Sequence, residues 1–458
     1  MRTAIAMGLA LGAAGAAQAD EWPDPPTLAG ARLPASADIR GAPFAEAPRG
    51  IHLAGSNEPS ARESLFSTDQ PDAKNKGISW SGFYGLGLDY TYASPAHWSR
   101  AVNRLQFDIE GALSESVKYK LGGRVDADPV YAGSNFYRPA VKRDQRLDAI
   151  WRENYLDISA GDWDFRVGAQ QIIWGEVVGL FFADVVSARD LRDFLLPSFD
   201  IIRIPQWAAR AEYYAGDSHL ELVWIPVPTF DNIGKPGAEF YPLQLPSPTS
   251  DAAASAIRDI EKPQRKLGNS NYGFRVNTLA AGWDVAAFYY RSFSTEPTFY
   301  LLPGTTLSSP VFQPRYDRIW QAGATVTKDM NAADGVVRRS TLDYILSADF
   351  PFPNDTRLNV QAFQRVYFGG SRDVAINIGD YGVSMLVSTK LTRALEPQLQ
   401  WIQTFGGGGG LIRPKLTWYA QKNVTIGTGV DIFTGPSDGY FGRYNNRDRV
   451  YAELRYDF

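Results

Sequence analysis

Between Gln170 and Arg203 the chain sets ionisable side chains into an unusually apolar stretch. Trp174 and Glu176 open it, Asp184, Arg189, Asp190, Arg192 and Asp193 follow, and Arg203 closes it. Carboxylates and guanidiniums at this density form a solvated face in water. In a low-dielectric interior they must form pairs or networks, because an unpaired buried charge is costly. The run Val177-Val178-Gly179-Leu180-Phe181-Phe182 lies among them and would be a liability if exposed. The stretch is therefore expected to fold inward and constrict a passage, with Trp174, Glu176, Asp184, Arg189, Asp190, Arg192, Asp193 and Arg203 lining it. The alternative is a loop over the mouth with its charges in water. Ser187 with Asp190 three residues on resembles a capping box, and Leu191, Phe194 and Leu195 share one helical face. A short helix is expected here, ended by Pro197.

Other chemistry is hard to assemble. A Ser–His or Cys–His nucleophile needs a histidine beside it, and there is no Cys and only His52, His97 and His219. His52 falls in a Pro-rich arm, His97 beside the first outer loop and His219 beside a periplasmic turn, and all three read as exposed polar residues. No His/Asp/Glu cluster has ligand spacing, so no metal and no cofactor are implied. The Gly406–Gly410 run is followed by no Lys-Ser/Thr and reads as a flexible hairpin loop, not a phosphate cradle. The chain is not expected to be an enzyme.

The elements that must position these residues are strands. In the terminal segment Val450, Ala452, Leu454, Tyr456 and Phe458 alternate with Arg449, Tyr451, Glu453, Arg455 and Asp457. Successive side chains of a strand point to opposite faces, so this is one apolar and one charged face. Leu454, Tyr456 and Phe458 read as the closure signal of a transmembrane barrel, with the last strand pairing to the first. Outer-membrane lipids and the barrel assembly machinery are the partners that such a strand implies. Similar alternation recurs along the chain from residue 78, for example Leu105, Phe107, Ile109 against Gln106, Asp108, Glu110. Seventeen candidate segments arise, whereas a bacterial barrel with both ends on one side needs an even number. The fold expected is an all-β, antiparallel up-and-down barrel of about sixteen strands, fourteen to eighteen bracketing it. The parity conflict falls between 295 and 350: either Val336–Phe350 is misread, or a weak strand hides in Phe299–Pro314. Connections at 114–116, 160–162, 216–218 and 421–423 read as short periplasmic turns. Those at 129–147, 172–205, 227–268 and 295–313 read as outer loops or lumen-filling segments.

Before residue 78 the pattern changes. Met1-Arg2, the small apolar run Ala4–Ala17 and Ala17-Gln18-Ala19 read as a secretory signal peptide over 1–19. Residues 20–77 hold eight Pro and little periodicity, which reads as an extended arm or a plug rather than sheet. No apolar run approaches the twenty residues of a membrane helix. An aromatic share of 13 % suits barrel girdles, and a net charge of −4 does not suggest a nucleic-acid partner. The expected place is the outer membrane of a Gram-negative cell.

Gln170, Trp174, Gly175 and Glu176, the run Asp184–Arg192, Arg203-Ile204-Pro205 and Trp224-Ile225-Pro226-Val227-Pro228 resemble the outer-membrane family called domain of unknown function 1302. More distantly the chain resembles alginate-export barrels. The resemblance is clear over about 165–240. It implies an outer-membrane barrel, a periplasmic lipid-handling partner and an inner-membrane permease of the resistance-nodulation-division class, hence trafficking of lipid-like compounds. It transfers no catalytic residue. Two functions follow as expectations. One is a channel or export conduit for a hydrophobic or lipid-like compound, constricted by 172–200. The other is a structural barrel presenting loops 129–147 and 227–268, with Tyr137-Arg138-Pro139 and Phe240-Tyr241-Pro242 as contact surfaces.

Overall fold

A computed structural model describes residues 77–174, 184–242, 256–280, 283–302, 311–328, 341–353, 355–367 and 381–458. The expected leader, the Pro-rich arm up to residue 76, Glu176 and the run 177–182 lie outside the described residues. Seventeen strands make the wall. They are β1 (Ser79–Thr91), β2 (His97–Ala112), β3 (Val117–Ala127), β4 (Leu147–Ala160), β5 (Trp163–Gln170) and β6 (Gln206–Ala215). Next come β7 (Ser218–Ile225), β8 (Asn271–Ala280), β9 (Trp283–Phe293), β10 (Arg318–Lys328), β11 (Thr341–Phe352) and β12 (Thr356–Tyr367). The last are β13 (Tyr381–Ser388), β14 (Leu395–Phe405), β15 (Gly409–Gln421), β16 (Val424–Thr434) and β17 (Arg449–Asp457).

The last strand pairs antiparallel with the first, Tyr84 facing Tyr456 and Leu86 facing Leu454. Phe458 completes the junction, exchanging backbone hydrogen bonds with Gly82 at 3.0 Å in both directions. Alternation then sorts the side chains. Leu105, Phe107, Leu121, Trp151, Val167, Trp207, Leu222, Trp224 and Phe274 are exposed on the outside of the wall. So many apolar side chains on one surface are stable only against lipid. Aromatic girdles mark both rims: Trp80 with Phe107 and Phe458 at one, Trp98 with Tyr90 at the other. The turns at Gly161 and Gly216 are tight because both glycines hold positive φ, 65° and 60°.

Sixteen antiparallel pairings lead from β11 through β17 to β1 and on to β10. An even number of reversals means that β10 and β11 run in the same direction. The parity conflict thus lies between these two strands, within the expected 295–350. The hidden-strand alternative does not resolve it: Thr298–Leu301 pairs with Phe312–Arg315 as a hairpin of its own, while β9 pairs directly with β10.

The loops on the long-connection rim form a second core. Tyr131, Tyr137 and Val141 pack with Ile233, Ala238 and Tyr241, and with Ile257 and Phe299. The aromatic pairs expected as contact surfaces are buried instead: Tyr137, Phe240 and Tyr241 are all under 4 % exposed. Tyr137 and Tyr241 belong to this loop core, whereas Phe240 packs in a separate interior cluster. The glycine run is not a loose hairpin either. Phe441 N–H donates to the Gly408 carbonyl at 2.8 Å, and a side chain at Gly409 or Gly439 would collide with the facing backbone.

The helix expected at 187–196 is absent. Asp190 N–H donates to the Ile202 carbonyl at 2.7 Å and Leu191 N–H to that of Asn232 at 2.8 Å. Those amides are thereby withdrawn from any helical ladder, and Ala188–Arg189 forms a two-residue ladder with Arg203–Ile204. The Ser187 hydroxyl donates to the Ile172 carbonyl rather than capping a helix. One turn of helix does form, later, at Phe199–Ile202.

Candidate functional site in the barrel interior

Residues 184–205 lie against the inward face of the wall. Val185, Val186, Phe194, Leu195 and Leu196 share one buried cluster with Trp174, Ala208 on β6, Val223 and Ile225 on β7, and Phe288 and Tyr290 on β9. Phe363 on β12, Ile402 on β14, Leu411 on β15 and Phe433 on β16 belong to the same cluster. Phe194 holds the left-handed backbone, φ 55°. Rings of Phe240, Phe433, Tyr440, Phe441 and Tyr444 surround it within 6.3 Å and hold it there.

Each charge expected in the constriction is paired where it is described. Arg203 Nε meets Asp184 Oδ2 at 2.8 Å, and both side chains are 5 % exposed or less. Arg189 meets Asp231 at 2.6 Å and Glu296 at 2.8 Å. Arg192 donates to both oxygens of Asp190 and to Asp148 Oδ2 at the start of β4. Burial alone would raise the Asp190 carboxyl, but Arg192 holds it below the ordinary range. Asp193 Oδ2 lies 3.3 Å from Arg100 on β2. Trp174 Nε1–H donates to Glu221 on β7 at 3.0 Å. The residues are not one cluster, however: they reach in different directions and moor the segment to separate parts of the wall. On β3 and β4, Arg124 donates to the Ile201 carbonyl, and Arg152 to the carbonyls of Arg203 and Asp200.

Two groupings escaped the sequence reading. The first is a ladder across the junction of the first and last wall strands. From Asp193 it runs through Arg100 to Asp89 on β1 (3.8 Å) and on to Arg449 on β17 (2.6 Å). Asp431 on β16 follows at 2.9 Å and Arg413 on β15 at 2.7 Å. Arg413 returns to the inserted segment, donating to the Leu196 carbonyl at 2.9 Å. The available signal was the phase of each strand, since Asp89, Arg100, Arg413, Asp431 and Arg449 all fall on the inward face.

The second grouping centres on Glu239, 3 % exposed. Thr91, His97, Tyr137 and Arg447 all reach its carboxylate, at 3.2, 3.1, 3.0 and 3.3 Å. Burial would raise this carboxyl, but His97, Arg447 and Tyr137 hold it low. His97 is therefore not an exposed polar histidine: its ring stacks on Phe136 at 3.8 Å. His219 is engaged too, stacked on Tyr214, with Nδ1 2.9 Å from Asn277 and Nε2 3.2 Å from Glu212. Towards the short-turn rim the interior is polar and more open, with Lys120 between Glu110 and Glu153 and Glu453 and Arg455 exposed.

The family model described as "Protein of unknown function (DUF1302)" matches residues 89–385, more than half of the chain. The chain belongs to the DUF1302 family. That span takes in the inserted segment and the strands from β2 to β12, well beyond the 165–240 stretch where the motifs lie. Among curated proteins nothing matches. Solved structures similar to this DUF1302 chain include the Salmonella typhi OmpF complex with daunomycin, at 10 % identity and TM-score 0.43. That likeness covers 83 % of this chain and 97 % of the other. A triple mutant of the Rhodopseudomonas blastica porin is similar at 11 % identity and TM-score 0.39, covering 83 % and 100 %. The barrel assignment rests on the strand pairing itself.

Proposed function

We propose that this DUF1302 protein is an outer-membrane conduit for a hydrophobic or lipid-like compound, constricted by residues 172–205. One observation carries the reading: the apolar cluster in which segment 184–196 packs against inward side chains of β6, β7, β9, β12, β14, β15 and β16. Water-filled barrels have polar interiors, and an aromatic and aliphatic interior is unfavourable to hydrate. Such an interior suits cargo that is itself apolar. The charged rim below would take the cargo's water-facing partner, in the family's terms a periplasmic lipid-handling protein working with an inner-membrane permease.

Recording from planar bilayers tests the constriction. Removal of 177–196 should raise conductance severalfold or turn a silent barrel into a conducting one. Unchanged current and unchanged transfer of a fluorescent lipid between vesicles would sink the proposal. A closed scaffold that displays its loops is the competing function. It is disfavoured by the burial of Tyr137 and Tyr241 in the loops' own core and of Phe240 in the interior cluster.

A further inference from the structure

On the long-connection rim the chain gathers cations that the wall does not use. Between β3 and β4, residues 138–146 carry Arg138, Lys142, Arg143 and Arg146 against one acid, Asp144. Pro139–Gln145 forms a short helix, and the loop after β7 brings Lys235 up against it. Arg138 Nη1 ties the two together, donating to the Pro236 carbonyl at 3.1 Å. The turn at Gly234 holds positive φ, 73°, and passes so near the helix that a Cβ there would stand 3.5 Å from Gln145 Nε2. Between the two loops lies a cleft of about 270 Å³, open to solvent and lined by Ala140, Arg143, Asp144 and Lys235.

Only some of these charges are engaged. Lys142 Nζ donates to the Ser134 carbonyl at 2.7 Å. The neighbouring acids Asp148 and Asp190 are both held by Arg192, and Asp144 Oδ2 is buried rather than turned to the opening. Arg143, Arg146 and Lys235 are exposed, and among the described residues their side chains have no hydrogen bond or ion pair. Two guanidiniums and an ammonium at one opening make a phosphate-binding set. A guanidinium takes two phosphate oxygens at once, and an ammonium adds a point charge.

The adjoining wall points to the source of that phosphate. Arg146 leads directly into β4, whose outward residues Leu147 and Trp151 are 62 % and 75 % exposed and face lipid. Arg143 is four residues from Leu147, hence at most about 14 Å from that surface even along an extended chain. The polar headgroup zone of a bilayer begins at the same boundary.

We infer that this cleft docks the phosphate-bearing headgroup of an outer-leaflet lipid, with Arg143 and Lys235 on the phosphate and Arg146 beside it. Such a site shares with the conduit reading only the outer membrane around the barrel.

The full chain, refolded in a neutral detergent, is titrated with diphosphoryl lipid A, and the complexes are counted by native mass spectrometry. The R143Q/K235Q variant, checked for folding by its heat-shifted gel migration, should bind about tenfold more weakly, the loss of two solvent-facing charge contacts. Monophosphoryl lipid A should bind the parent several-fold more weakly than the diphosphoryl form. K118Q/K422Q alters two exposed lysines at the short-turn rim and should leave binding as it is. Undiminished binding in R143Q/K235Q overturns the site, and so does an equal loss in K118Q/K422Q, which would mean general charge attraction. Displacement of the lipid by millimolar inorganic phosphate would make the cleft a free-anion site and overturn the lipid assignment. Failure of the conduit reading looks different: flux unaffected by removal of 177–196, with lipid A binding intact.

Discussion

Arg449 on the last wall strand donates to Asp89 on the first at 2.6 Å, across the junction where these two strands pair. Both side chains are 4 % exposed. The bond joins residues 360 positions apart and sits in the middle of the ladder that reaches Asp193 and Leu196 in the inserted segment.

Breaking that pair on one side should be worse than removing it whole. Arg449→Leu leaves Asp89 and Asp431 short of a partner and should destabilise the barrel by about 3–5 kcal/mol. The double change D89L/R449L should recover part of that loss. Urea unfolding from lipid vesicles measures both; equal destabilisation of single and double variants would refute the ladder's role.

Arg203 should anchor the inserted segment. Arg203→Gln removes the ion pair with Asp184 and strands a buried carboxylate, again costing about 3–5 kcal/mol. In single-barrel recordings the variant should show frequent current steps where the parent is quiet. An unaltered trace would detach the segment from any control of passage.

Glu239 should hold the mouth shut. Glu239→Gln weakens the bonds from His97, Tyr137 and Arg447 together. Limited proteolysis of intact vesicles should then cut the 129–147 and 227–242 loops far faster than in the parent. Equal cleavage rates would mean that the loops' apolar core suffices without this carboxylate.

Acidity should act through Asp128, which lies just past β3. Burial pushes its carboxyl up to about 6 despite bonds from the Ala101 and Val130 amides. A carboxyl raised above its ordinary 3.8 holds its proton more tightly when folded. Its contribution is therefore greatest below pH 4 and is lost as pH rises through 6, by up to about 3 kcal/mol. Asp128→Asn should flatten that part of the stability profile, and an unchanged profile would assign it to other groups.

Phe458 should matter most during assembly. Its ring packs 6.1 Å from Trp80, and Gly82 leaves room for it, since a Cβ there would meet the ring at 2.9 Å. Phe458→Ala should cost only about 1 kcal/mol once folded but should lower the yield of assembled barrel in cells severalfold. A normal yield would remove Phe458 from the closure signal.

Why some of this was legible follows from range. The terminal strand could be read because alternation is a property of neighbouring residues, and Val450 to Phe458 carry it without help from the rest of the chain. The segment at 187–196 has helical spacing just as plainly. Its amides are nevertheless taken by Ile202 and Asn232, partners that no local window contains. Glu239 was invisible for the same reason, its four partners lying at 91, 97, 137 and 447. The mixed charges of the inserted segment could be expected to pair, but not with Asp148, Asp231 or Arg100 in particular. Those choices are made by strand register.

The ladder has a consequence for the order of events. Asp193 can meet Arg100 when only the early strands exist, but Arg413, Asp431 and Arg449 reach the site with the last three strands. Contacts of such long separation form late. The inserted segment therefore cannot be fully moored in a half-built wall. Its docking is completed only when the chain's final strand has arrived, so the segment's seat reports on the state of the whole wall.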